Sequence, residues 1–243
     1  IAKILLLIPS TYIDSIGLFL KKLYKKIPSY LGDKMHKGAL VLSAKNAKEM
    51  YNNLITIWPE HEEVIKPNFI CDMNGIDNSP EIKEQSISIP EQMMIEDICG
   101  YMMDDILVKV DRAAMSKSLE TRIPFLNHSL FRHSLHIPIN LKLKDGRSKS
   151  ILKDILKEYL DNNLIDRPKM GFGIPMDSWL RGPLKKWAHN ILLGEKIKKD
   201  GHFNCDVIKK KWVQHQSGKK NWDTQLWTII TFQLWYDEYG DNK

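Results

Sequence analysis

The strongest constraint on the fold of this chain comes from the stretch YMMDDILVKVDRAAMSKSLETRIPFLNHSLF, Tyr101 to Phe131, and the residues just before it. Within Glu91 to Val110 an apolar residue recurs at every fourth position, as in one stripe of an amphipathic helix. The stripe is formed by Met94, Ile98, Met102, Ile106 and Val110. Pro90 suits the first turn of such a helix, because the N–H that proline lacks has no intrahelical partner there. The sequence therefore predicts a long helix followed by a second amphipathic segment.

Two pairs of opposite charges lie in the second segment, Asp111 beside Arg112 and Glu120 two residues before Arg122. Pro124 prevents the helix from continuing, so Arg122 lies where the backbone changes direction. An arginine can donate two parallel hydrogen bonds to a carboxylate, which suits it to a partly buried ion pair. We predict that these four residues form a structural polar network, with a solvated helix face as the alternative.

The composition is typical of a soluble globular protein, with 243 residues, 43% hydrophobic and 27% charged. The formal net charge of +6 would suit a nucleic-acid partner. However, the lysines are scattered, and no basic block interleaved with aromatic residues stands out. We therefore expect no nucleic-acid partner, and a polyanionic small molecule such as ATP fits the charge equally well.

The three cysteines Cys71, Cys99 and Cys205 lie far apart and form no CxxC pair. This spacing argues against a disulfide framework or a zinc site and favours a reducing compartment, here the cytoplasm. The apolar run Ile4 to Ile8 is interrupted by Pro9 and is too short to span a membrane, so we expect no membrane partner. Because the sequence starts with an isoleucine, we expect it to be a piece of a longer protein.

The remaining chain predicts a mainly α fold, a compact helical bundle. Helical spacing of apolar residues extends over Ile13–Leu31, Lys34–Val41, Ala44–Ile57, Val207–Gln216 and Trp222–Tyr239. The lysine-rich first helix could pack in the bundle or lie on a membrane surface, and we favour the bundle. Ser43 is the predicted N-cap of the third helix, and Trp58-Pro59 is its stop. Residues 67–90 lose all periodicity and predict a long loop.

A family resemblance rests on three blocks in fixed order: DDILVKVDRAAMSKSLETRIPFLNHSL, then Gly146 to Lys153, then RPKMGFGIPMDSWLRGPLKKW. Together they resemble the later part of the synthetase domain of glutamine-dependent asparagine synthetases. The match covers residues 89–187, and the flanks match only in character. It implies that residues 1–243 are the C-terminal helical part of an α/β adenine-nucleotide α-hydrolase-like domain. The sheet and phosphate loop of that domain would lie upstream.

The resemblance implies catalytic roles for Lys149 and Asp97. Lys149 lies in a loop before the predicted helix Ser150 to Leu160, at an element N-terminus that attracts anions. It matches the family lysine beside the acyl-adenylate, where a fixed cation stabilises developing negative charge. Asp97 corresponds to an acidic residue near the reacting centre of the family. From the sequence alone, a mobile surface lysine and a solvated helix carboxylate are the alternatives.

The segment RPKMGFGIP resembles a family loop near the synthetase site. Its cations Arg167 and Lys169 are candidates for ATP or substrate binding. The glycines Gly171 and Gly173 permit backbone geometry that other residues resist. The alternative, equally compatible with the sequence, is a loop that only turns the chain between two helices.

The sequence departs from the family in two respects. Asn127 stands where the pattern E-x-R-x-P-F-L-D has aspartate. If that acid only caps the next helix, asparagine replaces it well, whereas a role for its charge would put function in doubt. The family's phosphate loop Ser-Gly-Gly-x-Asp-Ser, its Gly-Asp-Glu-Leu segment and its N-terminal cysteine nucleophile do not occur in this sequence. We therefore expect upstream residues to bind most of the ATP and Mg²⁺, no metal ligand here, and an inactive isolated chain.

The resemblance implies that the full-length protein is an ATP-dependent ligase of small-molecule substrates. It would adenylate aspartate and amidate it with ammonia from glutamine. Two alternatives remain open: an amide-forming homologue that acts on a cell-surface sugar or peptide carboxylate, and a non-catalytic helical interaction module. A homodimer is also left open.

Overall fold

The computed structural model describes residues 7–8, 10–23, 31–70, 87–167 and 173–240, with only the backbone for residues 11 and 18–23. Helix predominates in these residues, so the predicted mainly α fold is confirmed. The chain divides into two compact units, Ile1–Asp77 with Gly173–Lys243, and Asn78–Phe172. Most of the predicted loop 67–90 falls outside the described residues. None of the described helices is long and apolar enough to cross a membrane.

The first unit begins with four helices, α1 (Ser10–Leu23), α2 (Leu31–Ser43), α3 (Ala47–Ile55) and α4 (His61–Val64). The predicted N-cap Ser43 is wrong, because Ser43 ends α2 and its hydroxyl donates to the Leu40 carbonyl at 2.9 Å. Asn46 caps α3 instead. Its backbone is extended (φ −148°, ψ 173°), and its side chain accepts a hydrogen bond from the Glu49 N–H at 2.8 Å. The helix ends at Ile55, before the predicted stop.

Helices α1 and α2 approach each other closely at Gly32, the second residue of α2. The Gly32 N–H donates to Asp14 Oδ1 on α1 at 2.8 Å, so the Asp14 carboxylate satisfies a free N–H at the start of α2. A Cβ atom at this position would lie 2.1 Å from the Ser10 carbonyl oxygen. Only glycine allows this approach of the two backbones.

The second unit contains six α-helices, one π segment and one hairpin in its described residues. They are α5 (Ile89–Asp97), the π segment (Ile98–Leu107), α6 (Val108–Met115), α7 (His128–His136), α8 (Ile139–Lys142), β1 (Leu143–Lys144), β2 (Arg147–Ser148), α9 (Ser150–Leu156) and α10 (Asn162–Ile165). The start of α5 is a capping box in which the Ser88 N–H donates to the Glu91 carboxylate at 3.0 Å, with Pro90 in the first turn.

The long helix predicted around residues 91–110 is present from Ile89 to Met115, but its middle is π-helical. A π-helix completes a turn in about 4.4 residues, because its hydrogen bonds run from residue i to i+5. An α-helix needs about 3.6 residues. A repeat of four residues lies midway between these values. Joining α and π segments therefore keeps Met94, Ile98 and Met102 nearly in line, whereas α-helix alone would wind the stripe around the axis.

The first unit is completed by α11 (Met176–Arg181), α12 (Lys185–Leu193), α13 (Glu195–Asp200), α14 (Cys205–Gln216) and α15 (Asp223–Tyr239). All five helices and α4 contribute side chains to one apolar core. Its buried members are Val64, Leu180, Ala188, Leu192, Ile197, Phe203, Ile208, Trp212, Leu226, Ile229 and Ile230. The end of α4 is tied to this core by two backbone hydrogen bonds, Lys66 N–H to His202 O at 2.9 Å and Asn204 N–H to Val64 O at 2.7 Å.

The second unit leaves its apolar side chains more exposed than the first unit does. Among residues 87–167 only Ser150 is buried. Large side chains such as Leu119 and Phe125 are 62% and 58% exposed. Apolar burial among the described residues of this unit is therefore slight.

A histidine is fully buried in the core of the first unit. His215 is 0% exposed, and its Nδ1 accepts a hydrogen bond from the Trp222 N–H at 3.2 Å. Burial lowers the pKa of His215, and the nearby Arg181 charge lowers it further, while Asp177 and Asp223 oppose the shift in part. The imidazole is therefore held neutral in the folded chain.

We expect Gly32→Ala to lower the free energy of unfolding by about 1–3 kcal/mol, because its new methyl group would force α1 and α2 apart. Urea unfolding followed by tryptophan fluorescence measures this, since all seven tryptophans lie in the first unit. The control is Gly38→Ala in the same helix, where the added Cβ meets no atom within 4 Å. It should leave stability unchanged or raise it by up to about 1 kcal/mol. Equal losses for the two variants would contradict the steric account.

We expect the stability of the first unit to fall as the pH drops below about 6.5, the ordinary pKa of histidine. In acid, His215 is protonated more readily in the unfolded chain than in the folded chain. The contribution of neutral His215 to the free energy of unfolding is therefore complete above the pKa of the unfolded chain and is lost in acid. Urea unfolding at several pH values between about pH 8 and about pH 5 measures how steeply the free energy of unfolding depends on pH. His215→Gln should reduce the slope, and the exposed control His189→Gln should keep it. An unchanged slope in His215→Gln would refute the assignment.

Candidate functional site

The candidate site is built on the hairpin that precedes α9. Strands β1 and β2 pair antiparallel, with Leu143 opposite Ser148 and Lys144 opposite Arg147. The turn residues Asp145 and Gly146 have φ values of 52° and 73°, as a two-residue hairpin loop requires. This hairpin fixes the chain immediately before Lys149.

Lys149 links β2 to α9 in a left-handed backbone conformation, with φ 60° and ψ 34°. The next residue, Ser150, is buried and its hydroxyl donates to the Leu141 carbonyl. The Lys149 carbonyl accepts the first hydrogen bond of α9, from the Lys153 N–H at 3.0 Å. Its side chain is exposed and makes no ion pair with any described residue. Lys149 is thus a cation on a defined backbone, with no acidic partner in the described part of the chain.

Asp166 contacts residues on both sides of Lys149 in the sequence. Its carboxylate lies 2.8 Å from Lys153 Nζ on α9 and 3.9 Å from Arg147 Nη1 on β2. The hydrogen bond from Lys153 and its charge lower the pKa of Asp166, with a smaller contribution from Arg147. We did not predict this residue, because the contacts join positions far apart in sequence. The available signal is an acid directly before Arg167.

Two predicted cations belong to the segment after α10. Arg167 follows Asp166 directly and is exposed, so the structure brings its backbone to the Lys149 hairpin through the ion pairs of Asp166. Lys169 and Gly171 lie outside the described residues, and their placement stays a prediction.

Asp97 lies on the long helix, where α5 meets the π segment, and its side chain is exposed. It shares a four-residue spacing with Tyr101, Asp105 and Lys109, and Asp105 pairs with Lys109 at 2.6 Å. Its predicted role beside Lys149 stays a prediction.

One part of the predicted polar network is present. Arg122 Nε donates to Glu120 Oε1 at 3.0 Å, and the two side chains are 85% and 69% exposed. Asp111 and Arg112 lie exposed on α6 and pair with neither of these residues among those described. The wider network stays a prediction, and a single exposed pair of this kind contributes little to stability.

Asn127 caps α7, which is the role considered for the family's aspartate. Its side-chain oxygen accepts hydrogen bonds from the Ser129 N–H at 3.1 Å and the Leu130 N–H at 3.3 Å. Asparagine and aspartate are comparable at this position of a helix. The structure thus gives the departure from the family pattern a capping role that needs no charge.

Comparison with known proteins agrees with the three sequence blocks. The sequence model of the family described as asparagine synthase matches residues 10–237. The chain is 30% identical over 154 residues to glutamine-hydrolysing asparagine synthetase 1 of Bacillus subtilis, covering 63% of this chain and 24% of that protein. It is 27% identical over 221 residues to a putative glutamine-hydrolysing asparagine synthetase of Mycobacterium tuberculosis, covering 88% of this chain and 33% of that protein.

A more distant similarity joins the chain to Amidase chry2 of Gibberella zeae, at 30% identity over 129 residues, 41% of this chain and 19% of that protein. No solved structure gives a significant match. The chain thus spans about a quarter to a third of the length of the two synthetases.

We expect Asn127→Ala to destabilise the start of α7 by about 1 kcal/mol, because two N–H groups lose their acceptor. Amide hydrogen exchange of residues 128–136 measures this, and about fivefold faster exchange corresponds to that loss. Asn127→Asp is the matched control and should exchange as slowly as the wild type or more slowly, because a negative charge suits a helix N-terminus. Equal acceleration in both variants would rule out the capping role.

Proposed function

The chain belongs to the asparagine synthase family, and from this premise we propose that the full-length protein is an ATP-dependent ligase that forms asparagine. In this proposal the carboxylate of aspartate attacks the α-phosphate of ATP, giving aspartyl-adenylate and pyrophosphate. Ammonia derived from glutamine then attacks the acyl carbon and releases AMP. This chain contributes the helical part of the synthetase domain, and alone it is inactive.

The observation that carries the proposal is the exposed ammonium of Lys149, held on a fixed backbone without an acidic partner among the described residues. Negative charge develops on the pyrophosphate leaving group in the first step and on the acyl oxygen in the second. A cation already in place stabilises both charges without reorganisation. The lysine needs no change in protonation for this role.

Seven other residues have supporting roles in the proposal. Arg167 and Lys169 bring further positive charge toward the phosphates of ATP. Asp97 helps to orient Lys149 or the attacking ammonia when the full site is assembled. Asp111, Arg112, Glu120 and Arg122 act on the frame and not on the substrate.

We assign Mg²⁺ and most of the ATP contacts to residues of the longer protein. Within the described residues no group of three or more His, Cys, Asp or Glu side chains could hold a metal ion. No step is therefore assigned to a metal ligand in this chain. The nucleotide-binding part of the longer protein also provides a partner for the exposed apolar side chains of residues 87–167, because contiguous exposed apolar surface favours burial against another surface.

An amide-forming reaction on another carboxylate is the second candidate. The similarity to a protein named as an amidase shows that relatives of this chain are not all named for asparagine formation. Such a protein would use the same adenylation step with a sugar or peptide carboxylate. A non-catalytic helical module is the third candidate and would adenylate no carboxylate.

ATP–pyrophosphate exchange on the full-length protein tests the proposal. We expect exchange that depends on aspartate and Mg²⁺, and we expect Lys149→Ala to lower its rate by at least about 100-fold, as expected for the loss of a preorganised charge. Lys144→Ala is the matched control, because it removes an exposed lysine from the same hairpin. It should stay within about twofold of the wild type.

The outcomes separate the candidates. Exchange driven by a different carboxylate, found with a panel that includes uronic acids and peptides, would replace aspartate by that substrate. No exchange with any carboxylate, from a protein that binds ATP, would favour the non-catalytic module. Equal rates for Lys149→Ala and Lys144→Ala would remove Lys149 from the mechanism.

A further inference from the structure

Three basic residues follow one another at close spacing around the hairpin and α9. Arg147 lies two residues before Lys149, and Lys153 lies four residues after it. Lys149 immediately precedes α9, and its carbonyl accepts a hydrogen bond from the Lys153 N–H at 3.0 Å, so the two backbones are in contact at the start of the helix. Three positive charges so close together repel one another unless an acid intervenes.

Asp166 is that acid, and its contacts bracket Lys149. One carboxylate oxygen accepts a hydrogen bond from Lys153 Nζ at 2.8 Å, and the other lies 3.9 Å from Arg147 Nη1. The cation that follows α9, Lys157, is paired with Asp154 at 2.7 Å. Both cations that flank Lys149 thus have an acidic partner, while Lys149 has none among the described residues.

The contacts of Asp166 also join segments that are distant in sequence. Asp166 is the residue that closes α10, and Arg167 follows it. One carboxylate therefore ties the end of α10 to β2 on one side and to α9 on the other. A single exposed ion pair is worth little, but a shared carboxylate between two elements restrains both of them.

We infer that Asp166 is a positioning residue that acts through Lys149. Its carboxylate holds the segments on both sides of Lys149 and neutralises their cations, so that Lys149 remains the cation presented to the acyl-adenylate. This inference rests on the proposed function. Asp166 itself touches no substrate. Displacement of a catalytic group by about 1 Å can cost up to about 100-fold in rate, which sets the scale of the expected effect.

The test uses the full-length protein and ATP–pyrophosphate exchange with aspartate. We expect Asp166→Asn to lower kcat by roughly 10- to 100-fold with KM for ATP within about twofold, since orientation is lost and binding is kept. Asp166→Glu keeps the charge and should recover most of the rate. The matched control is Asp154→Asn, which removes the same charge from an ion pair on α9 and should stay within about twofold of the wild type.

A double-mutant cycle distinguishes positioning from general stabilisation. If Asp166 acts through Lys149, Asp166→Asn should have little further effect in a Lys149→Ala protein. Multiplicative losses in the double variant would overturn the inference. A second readout is amide hydrogen exchange of residues 143–153, which should be faster in Asp166→Asn than in Asp154→Asn.

The remaining outcomes separate this inference from the proposed function. A large loss in Lys149→Ala with Asp166→Asn equal to Asp154→Asn would overturn the positioning role and leave the proposed function intact. No exchange by the wild-type protein with any carboxylate would overturn both. Equal hydrogen exchange in the two asparagine variants would overturn the restraint on the hairpin, whatever the activity.

Discussion

The burial of apolar side chains is the constraint on which the described structure depends, and the two units meet it differently. The first unit gathers one core from α4 and α11–α15, centred on residues such as Leu180, Ile208 and Leu226. The second unit buries only Ser150 among its described residues. Polar contacts connect its described residues: a capping box, a helix cap at Asn127, a tight hairpin turn and the ion pairs of Asp166. These contacts are also what positions the candidate site.

Much of the helical content could be predicted from apolar spacing, since that spacing reflects which face of each helix is covered. The repeat from Met94 to Val110 predicted a helix and also carried a subtler signal, because a period of four fits a mixture of α and π segments better than either alone. Helix cap positions were harder to predict from the sequence. Ser43 and Asn46 are both good N-cap residues, and the choice between them depends on which backbone is extended, which composition does not reveal.

Part of the candidate site could also be predicted from the sequence. Lys149 and Arg167 were found from sequence blocks that resemble a family, and the Glu120–Arg122 contact joins near neighbours in the chain. Asp166 was missed because its partners lie far from it in sequence and are brought to it only by the hairpin and α10. Long-range pairing of exposed charges leaves no periodic pattern in a single sequence.

The left-handed backbone at Lys149 has a consequence for the evolution of this segment. A lysine in that conformation costs roughly 1 kcal/mol more than glycine would, because its Cβ crowds the following carbonyl. Selection for thermal robustness alone would therefore favour glycine at position 149, and the amine would disappear with the strain. Under the proposed mechanism, thermal stability and catalytic activity thus favour different residues at position 149.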